Sequence, residues 1–129
     1  MITARNWREI PQRYRLEAAK CAKCGNVSFH PRLACGECRG RKFETVTLPD
    51  KGKVLTFTVV RTGPDRFSDL SPYVLAIVEL ENGVRLTAQV ADCKPEEAKT
   101  GMPVRIEFRK IHAEGRSGII FYGYKFVAQ

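Results

Sequence analysis

Two short cysteine motifs decide how this chain can fold: Cys21-Ala22-Lys23-Cys24-Gly25 and Cys35-Gly36-Glu37-Cys38-Arg39-Gly40. Each C-x-x-C spacing places two thiols on one tight turn, with backbone N–H groups directed at the sulfurs. Two such turns facing each other form a tetrahedral site of four thiolates, which favours Zn²⁺ among the common cytosolic metals. Four protein ligands leave no open coordination position, so the spacing predicts a structural metal centre rather than a catalytic one.

Other roles for the cysteine and histidine residues are less consistent with the pattern. Iron in a four-thiolate site stays open, because the spacing does not separate iron from zinc. Disulfides are not expected in a reducing cytosol, and a thioredoxin-type redox pair needs a βαβ setting that the sequence lacks. His30 lies between the two motifs and is expected at the surface or beside the site. Cys93 stands alone and is interpreted as a small packing residue rather than a nucleophile.

Composition places the chain among small folded proteins. It has 129 residues, of which 43% are hydrophobic and 28% charged, enough for one domain or a small domain with an added module. No apolar run approaches the ~20 residues that span a bilayer, and the charged N-terminal segment, interrupted by Pro11, does not resemble a signal peptide. We therefore expect a cytoplasmic protein. With two histidines, His30 and His112, the chain is poor in acid–base groups and is not expected to be an enzyme.

The positive charge of the chain indicates partners that carry phosphate groups. The formal net charge is +8, with ten Lys and Arg against five Asp and Glu in residues 1–50 and twelve against nine in residues 51–129. A basic protein favours nucleic acid or nucleotide-like ligands such as coenzyme A. Four thiolates and one Zn²⁺ would remove two of these charges, which leaves a mildly basic protein and weakens the case for nucleic acid.

The N-terminal residues 1–18 are predicted to form a helical arm that begins at Thr3 and is interrupted at Pro11. Its apolar residues recur at helical spacing, namely Trp7, Ile10 and Tyr14. A tryptophan beside several arginines is typical of protein interfaces, so Trp7, Arg8 and Tyr14 are candidate partner-binding residues. A plain surface helix fits the same pattern equally well.

Residues 19–48 are predicted to form the zinc ribbon, and residues 49–129 read as five strands. The strands are expected at 51–62, 73–80, 84–90, 104–109 and 119–127. A helical turn is expected over 94–101, and loops over 63–72 and 112–118. The second strand is nearly all apolar and is expected to be buried on both faces. Five strands with a helical turn between the third and fourth predict an OB-fold barrel, so the fold class is mainly β.

Several motifs outside the cysteines carry a resemblance to a known family. They are Trp7-Arg8, the Arg13–Leu16 segment, Phe29-His30-Pro31-Arg32 between the cysteine pairs, the Gly63-Pro64…Phe67…Pro72-Tyr73 loop and Gly101–Val104. With the two C-x-x-C motifs, this order resembles the acyl-CoA-associated OB-fold family with an N-terminal rubredoxin-like zinc ribbon. The resemblance spans essentially the whole chain. One departure is His30-Pro31, where members often have two prolines.

This resemblance implies a non-catalytic accessory or scaffold subunit that binds thiolase-fold enzymes. For archaeal members it implies acetoacetyl-CoA thiolase and hydroxymethylglutaryl-CoA (HMG-CoA) synthase of the mevalonate route as partners, with a CoA-bound intermediate passing between them. From the residues themselves, Arg61 and Arg66 beside the first long barrel loop are candidates for binding CoA phosphates.

An alternative function is single-stranded nucleic-acid binding by the OB-fold and ribbon. OB-folds bind single strands through aromatic residues on their second and third strands. Here those strands offer Tyr73 alone, and the period of two places Phe121 and Tyr122 of the last strand on opposite faces. The sequence therefore favours protein partners over nucleic acid.

Overall fold

The computed structural model describes residues 4–129, and its contacts divide the chain into two units. The first unit ends at Pro49 and the second begins at Asp50. Both are built mainly from strands, which confirms the predicted fold class. The predicted helix start, Thr3, lies outside the described residues.

Two short helices and three strands form the first unit. They are α1 (Ala4–Arg8), α2 (Ile10–Arg15), β1 (Glu17–Cys21), β2 (Val27–Ser28) and β3 (Phe43–Thr47). Pro11 lies in the first turn of α2, where its missing N–H would have had no partner, so the interruption produces two helices rather than one kinked helix. Leu16, with φ of 54°, turns the chain directly into β1. Within residues 4–129, no helix is long and apolar enough to cross a membrane.

The three strands of the first unit make an antiparallel sheet in the order β2-β1-β3. Central β1 pairs with both neighbours, for example Ala19 with Ser28 and Ala18 with Val46. The buried apolar residues around it are few and mostly small: Ala18, Ala19, Phe29 and Leu48, together with Cys21 and Cys35. The thiols are therefore part of the core of this unit.

The second unit is a closed five-stranded barrel. Its strands are β4 (Lys51–Val60), β5 (Tyr73–Leu80), β6 (Arg85–Ala91), β7 (Pro103–Ala113) and β8 (Ile120–Ala128). They follow the order β4-β5-β6-β8-β7, and β7 pairs back onto β4. β6 and β8 are parallel, and the other pairs are antiparallel. This is the predicted OB-fold order, with a short 3₁₀ turn (Pro95–Glu97) between the third and fourth barrel strands.

The barrel core corrects one expectation. β5 is not buried on both faces: Val74 and Val78 are fully buried, whereas Ile77 between them is 38% exposed. A sheet closed on itself has one interior, so only alternate residues of each strand reach it. Val54 of β4, Val104 of β7 and Phe126 of β8 fill the same interior.

The β7–β8 hairpin is longer than predicted. His112 and Ala113, which were expected in a loop, continue β7 beyond a bulge between Lys110 and His112. Cross-strand aromatic pairs explain the extension, because such pairs stabilise a ladder that polar loop residues would not. The ring centroids of His112 and Phe121 are 4.4 Å apart in a stacked arrangement.

Barrel closure depends on Gly52, which pairs with Leu80 on one side and Val104 on the other. A Cβ at this position would lie 2.6 Å from the carbonyl oxygen of Glu79 and 2.8 Å from Cγ1 of Val78. We expect Gly52→Ala to lower the free energy of unfolding by about 1–3 kcal/mol, measured by chemical denaturation, because the backbone must shift to admit the methyl group. The neighbouring exposed Lys53→Ala should change it by no more than about 0.5 kcal/mol. Equal stability of the two variants would contradict this account.

Candidate metal centre

The four predicted ligands converge in the structure. The sulfurs of Cys21, Cys24, Cys35 and Cys38 all lie within 4.8 Å of one another. The Cys21–Cys38 and Cys24–Cys35 sulfur pairs are each separated by 3.5 Å. Four sulfurs placed about 2.3 Å from a tetrahedral ion would be about 3.8 Å apart, so the cluster fits a metal ion of this geometry.

The first cysteine turn follows β1 and is closed by backbone hydrogen bonds. The N–H of Gly25 donates to the carbonyl of Cys21 at 2.9 Å, and the N–H of Cys21 donates to the carbonyl of Asn26 at 2.8 Å. Gly25 has φ of 77°, a conformation that a residue without Cβ adopts at little cost. The C-x-x-C-G pattern thus ends in the glycine that the turn requires.

The second cysteine turn has the same pattern of backbone hydrogen bonds, but its glycine occupies a different position in the turn. Here the N–H of Arg39 donates to Cys35, and the positive φ of 61° falls on Arg39 rather than on a glycine. Gly40 is needed for space instead, because a Cβ there would lie 3.3 Å from the sulfur of Cys38 and 3.5 Å from that of Cys21. The sequence shows a glycine in each motif, but it does not show that Gly25 provides the positive φ whereas Gly40 provides space beside the sulfurs.

Backbone N–H groups stabilise the thiolate form of one cysteine in each turn by lowering its pKa. Hydrogen bonds from the N–H groups of Cys38 and Glu37 lower the pKa of Cys35 to about 6. In the first turn, hydrogen bonds from the N–H groups of Cys24 and Lys23 lower the pKa of Cys21 in the same way. Both thiols therefore lose their protons more readily than an ordinary cysteine does, and the thiolate is the form that binds a metal ion.

Cys24 keeps its proton until a cation replaces it. The N–H of Asn26 by itself lowers the pKa of Cys24, but the neighbouring sulfurs, Cys35 first, and burial raise it to about 12. Four sulfurs so close together cannot all be ionised without a compensating positive charge. The donor set, its geometry and its closed coordination together fit a structural metal ion held by Cys21, Cys24, Cys35 and Cys38.

Neither His30 nor Cys93 belongs to this cluster. His30 is exposed, and its Nδ1 lies 2.6 Å from Nε2 of Gln12 in α2, so it connects the helical arm to the ribbon. Cys93 lies in the barrel unit after β6, where burial, and then the charge of Glu97, raise the pKa of its thiol. A protonated thiol of this kind is a weak nucleophile.

The candidate partner-binding residues lie on the two helices. Trp7 on α1 is 78% exposed and Tyr14 on α2 is 38% exposed. Arg8 lines a groove of about 360 Å³ together with residues of the ribbon sheet and its loops, among them Arg32 and Phe43. The first unit therefore presents a large uncovered aromatic side chain on the same short helix as a groove residue.

The candidate phosphate-binding residues lie between β4 and β5 of the barrel. Arg61 follows β4 directly, and Arg66 belongs to a 3₁₀ helix, η1 (Asp65–Leu70); both are exposed. The ring of Phe67 in η1 meets that of His112 edge-on, with centroids 6.3 Å apart. Burial, and then the positive charge of Arg66, lower the pKa of His112. Sequence analysis did not connect these residues, because they are more than forty positions apart.

Comparison with known families matches both units of the chain. Residues 8–44 match the model described as the ChsH2 rubredoxin-like zinc ribbon domain, and residues 45–109 match the ChsH2 C-terminal OB-fold domain. A DUF35 domain-containing scaffold protein from Methanothermobacter thermautotrophicus is 48% identical over 96% of this chain and 94% of its own length. The chain belongs to the DUF35 family. The family membership that the sequence motifs indicated is thereby confirmed.

Other DUF35 proteins extend this comparison. A DUF35 domain-containing scaffold protein of Methanocaldococcus jannaschii is 47% identical over 97% of this chain and 89% of its own. A solved structure titled Ltp2-ChsH2(DUF35) aldolase superposes with a TM-score of 0.76 at 27% identity, covering 97% of this chain and 92% of that one. The scaffold names agree with the prediction of a protein that is not an enzyme.

More distant relatives are named as enzyme subunits. The benzoylsuccinyl-CoA thiolase subunit BbsA of Geobacter metallireducens is 31% identical over 70% of this chain and 64% of its own length. A probable enoyl-CoA hydratase alpha subunit of Thermomonospora curvata is 30% identical over 84% of this chain, which spans 34% of that protein. These relatives are therefore named as subunits of enzymes that act on CoA thioesters.

The metal centre can be tested by removing one ligand. We expect Cys35→Ser to reduce bound metal from about one ion per chain to a small fraction, because three thiolates hold the ion less tightly and the ribbon folds around it. Elemental analysis of gently purified protein measures the metal, and NMR spectra report on the order of the ribbon. Cys93→Ser is the matched control and should keep its metal. Full metal content in Cys35→Ser would exclude the proposed ligand set.

His112 should make the barrel sensitive to mild acid. Within the described residues, no hydrogen bond reaches its buried Nδ1. Because its pKa lies below the usual value of 6.5, the unfolded chain binds a proton at higher pH than the folded chain does. Stability should therefore fall as the pH drops below 6.5, until the folded pKa is reached.

An NMR titration of the His112 ring measures this pKa directly, and denaturation at several pH values measures the stability. His112→Gln should lose less stability than the parent chain between neutral and mildly acidic pH. Since both chains carry the same cysteine cluster, the difference isolates the histidine. Identical pH profiles, or a ring pKa at or above the usual value, would contradict the prediction.

Proposed function

We propose that this DUF35 protein is a non-catalytic scaffold subunit that joins thiolase-fold enzymes acting on acyl-CoA substrates. The observation that carries the proposal is the recurrence of the same ribbon and OB-fold in proteins named as scaffolds and as subunits of thiolase, hydratase and aldolase assemblies. The solved relative covers both units of this chain, so the likeness includes the ribbon as well as the barrel.

The specific partners that we propose are acetoacetyl-CoA thiolase and HMG-CoA synthase of the mevalonate route. The support is the family resemblance and the high identity to archaeal scaffold proteins. A physical reason favours joining these enzymes: formation of acetoacetyl-CoA from two acetyl-CoA molecules is uphill. Holding the second active site near the first raises the effective concentration of the intermediate and draws the reaction forward.

Exposed apolar side chains on each unit support a role in protein binding. In the first unit, Trp7 is 78% exposed and Leu33 is 95% exposed. In the barrel, Phe108 is 53% exposed and Ile119 is 46% exposed. A partially or fully uncovered tryptophan that becomes buried on binding is among the commonest interface hot spots, so we assign Trp7 as the anchor on the helical side.

The proposed metal is Zn²⁺, in a purely structural role. Four thiolates in closed tetrahedral coordination are typical of structural zinc, and the matching family model is a zinc ribbon. The five cysteines form no disulfide bonds, and metal binding requires the thiols to stay reduced. Both points support a cytoplasmic location, where thiols are kept reduced. We further propose that Arg61 and Arg66 contact CoA phosphates where the barrel approaches a partner's substrate.

The scaffold proposal is tested by isolating the untagged protein from native lysate and identifying its partners by mass spectrometry. We expect two thiolase-fold enzymes to co-elute with it, and the isolated protein to show no thiolase, synthase or hydrolase activity. Trp7→Ala should weaken capture of one enzyme by about tenfold or more, since hot-spot truncation costs at least about 2 kcal/mol. Its own fold should be unaffected, because Trp7 is largely exposed.

Leu33→Ala is the matched control, as it removes an exposed apolar side chain from the same unit. Loss of the enzyme with Leu33→Ala but not with Trp7→Ala would overturn the choice of Trp7 and place the contact on the loop between the cysteine motifs. Turnover of acyl-CoA by the isolated protein would overturn the scaffold proposal itself.

A further inference from the structure

The ribbon sheet has an edge whose backbone groups are unpaired within residues 4–129. The strand order is β2-β1-β3, so β3 (Phe43–Thr47) pairs with β1 on one side only. Across the described part of the chain, no backbone hydrogen bond joins the other side of β3 to a loop, turn or helix. A strand edge with unpaired N–H and C=O groups is a template on which a further strand can form.

The register of β1 and β3 shows which groups of β3 point away from the sheet. The N–H of Ala22 donates to the carbonyl of Lys42 at 3.0 Å, which continues the ladder that joins the two strands. Bonded and non-bonded pairs alternate in an antiparallel ladder, so every second residue from Lys42 bonds to β1. The residues between them point their N–H and C=O groups outward: they are Phe43, Thr45 and Thr47, of which both threonines are exposed. We call these groups the β3 edge.

The groove that Arg8 lines reaches the β3 edge. Phe43 and Thr45 are among its lining residues, and so is Ala19, which lies directly opposite Thr45 in the register. Side chains two positions apart on a strand share one face of the sheet, so Phe43 and Thr45 face the same way. A strand added beside β3 would place alternate side chains on this face, next to a groove of about 360 Å³.

Two arginines in the groove have no acidic partner in the described residues. Arg8 and Arg32 both line the groove and are exposed, and neither takes part in an ion pair there. The carboxylate of Glu17, which also lines the groove, is already 3.2 Å from the guanidinium of Arg15. Glu44 alternates to the opposite face of β3 from its two neighbours in the strand. The groove therefore favours a carboxylate supplied from outside the unit.

We propose that the β3 edge binds an extended segment of a partner enzyme, which adds to the ribbon sheet as a fourth strand. Backbone hydrogen bonds to Phe43, Thr45 and Thr47 provide affinity, and a carboxylate side chain of the segment enters the groove to meet Arg8 and Arg32. A second copy of this chain is a poor occupant, because it would bring the same positive charges to an edge that already carries them. The identity of the occupant as an enzyme rests on the proposed scaffold function.

The β3 edge can be tested on the full, metal-loaded chain by NMR titration with an acetylated peptide in which valine and glutamate alternate. We expect binding to slow amide hydrogen exchange at Phe43, Thr45 and Thr47 and to shift the side-chain signals of Arg8 and Arg32. A peptide with lysine in place of glutamate should bind at least about tenfold more weakly, because like charges repel. Equal binding of the two peptides, or unchanged exchange at the three amides, would overturn the proposal.

A proline in β3 tests the contribution of the backbone. Thr45→Pro removes an outward N–H group without removing a bond to β1, and edge strands tolerate proline at such positions. It should weaken binding of the glutamate peptide by about tenfold, the upper range for one hydrogen bond. Thr45→Val is the matched control, since it keeps the N–H group and should change the affinity by no more than about twofold. Equal affinity of the two variants would contradict strand addition, and if Thr45→Pro does not fold, the exchange measurement on the parent chain decides.

The role of the arginines is tested in the same titration. The double variant Arg8→Gln/Arg32→Gln should weaken binding of the glutamate peptide by about tenfold, because two hydrogen bonds to a carboxylate are weakened. Arg5→Gln, in the same helix α1 but outside the groove, is the matched control and should change the affinity by no more than about twofold. A loss with Arg5→Gln as large as that with the double variant would overturn the site in favour of general electrostatic attraction.

The occupant is identified with the enzymes isolated from native lysate. Thr45→Pro should lose one of the enzymes that the parent chain captures, whereas Thr45→Val should retain it. Capture that Thr45→Pro leaves unchanged would overturn the β3 edge as the contact and leave the scaffold function intact. If the parent chain captures no enzyme, the scaffold function itself fails, whatever the peptide titration shows. A dimer of this chain in sedimentation experiments that Thr45→Pro dissociates would overturn the proposal in favour of a second copy.

Discussion

The convergence of four thiols is the constraint on which the first unit depends. Apart from the cysteines, its buried apolar residues are two alanines, one phenylalanine and one leucine: Ala18, Ala19, Phe29 and Leu48. A unit of this size cannot bury enough surface to offset the entropy of ordering its chain. In the proposed metal-bound state, bonds from sulfur to the ion would supply the missing free energy, which accounts for the space left beside the sulfurs at Gly40.

The barrel reaches stability by a different route. Its sheet closes on itself through the pairing of β4 with β7, and alternate residues of every strand fill one interior. Fully buried side chains such as Val74, Val104 and Phe126 contribute the apolar burial that the ribbon lacks. Each unit thus holds its own shape before any partner is present, so docking would order few additional groups and cost little entropy.

The parts of the structure that could be predicted are those that local patterns determine. The cysteine cluster follows from two turn motifs, and the positions of the strands along the chain follow from alternation and from turn signals such as Asn82-Gly83, where Gly83 has φ of 86°. The parts that could not be predicted depend on distant neighbours. The exposure of Ile77 follows from barrel closure, and the extension of β7 follows from the stacking of His112 on Phe121.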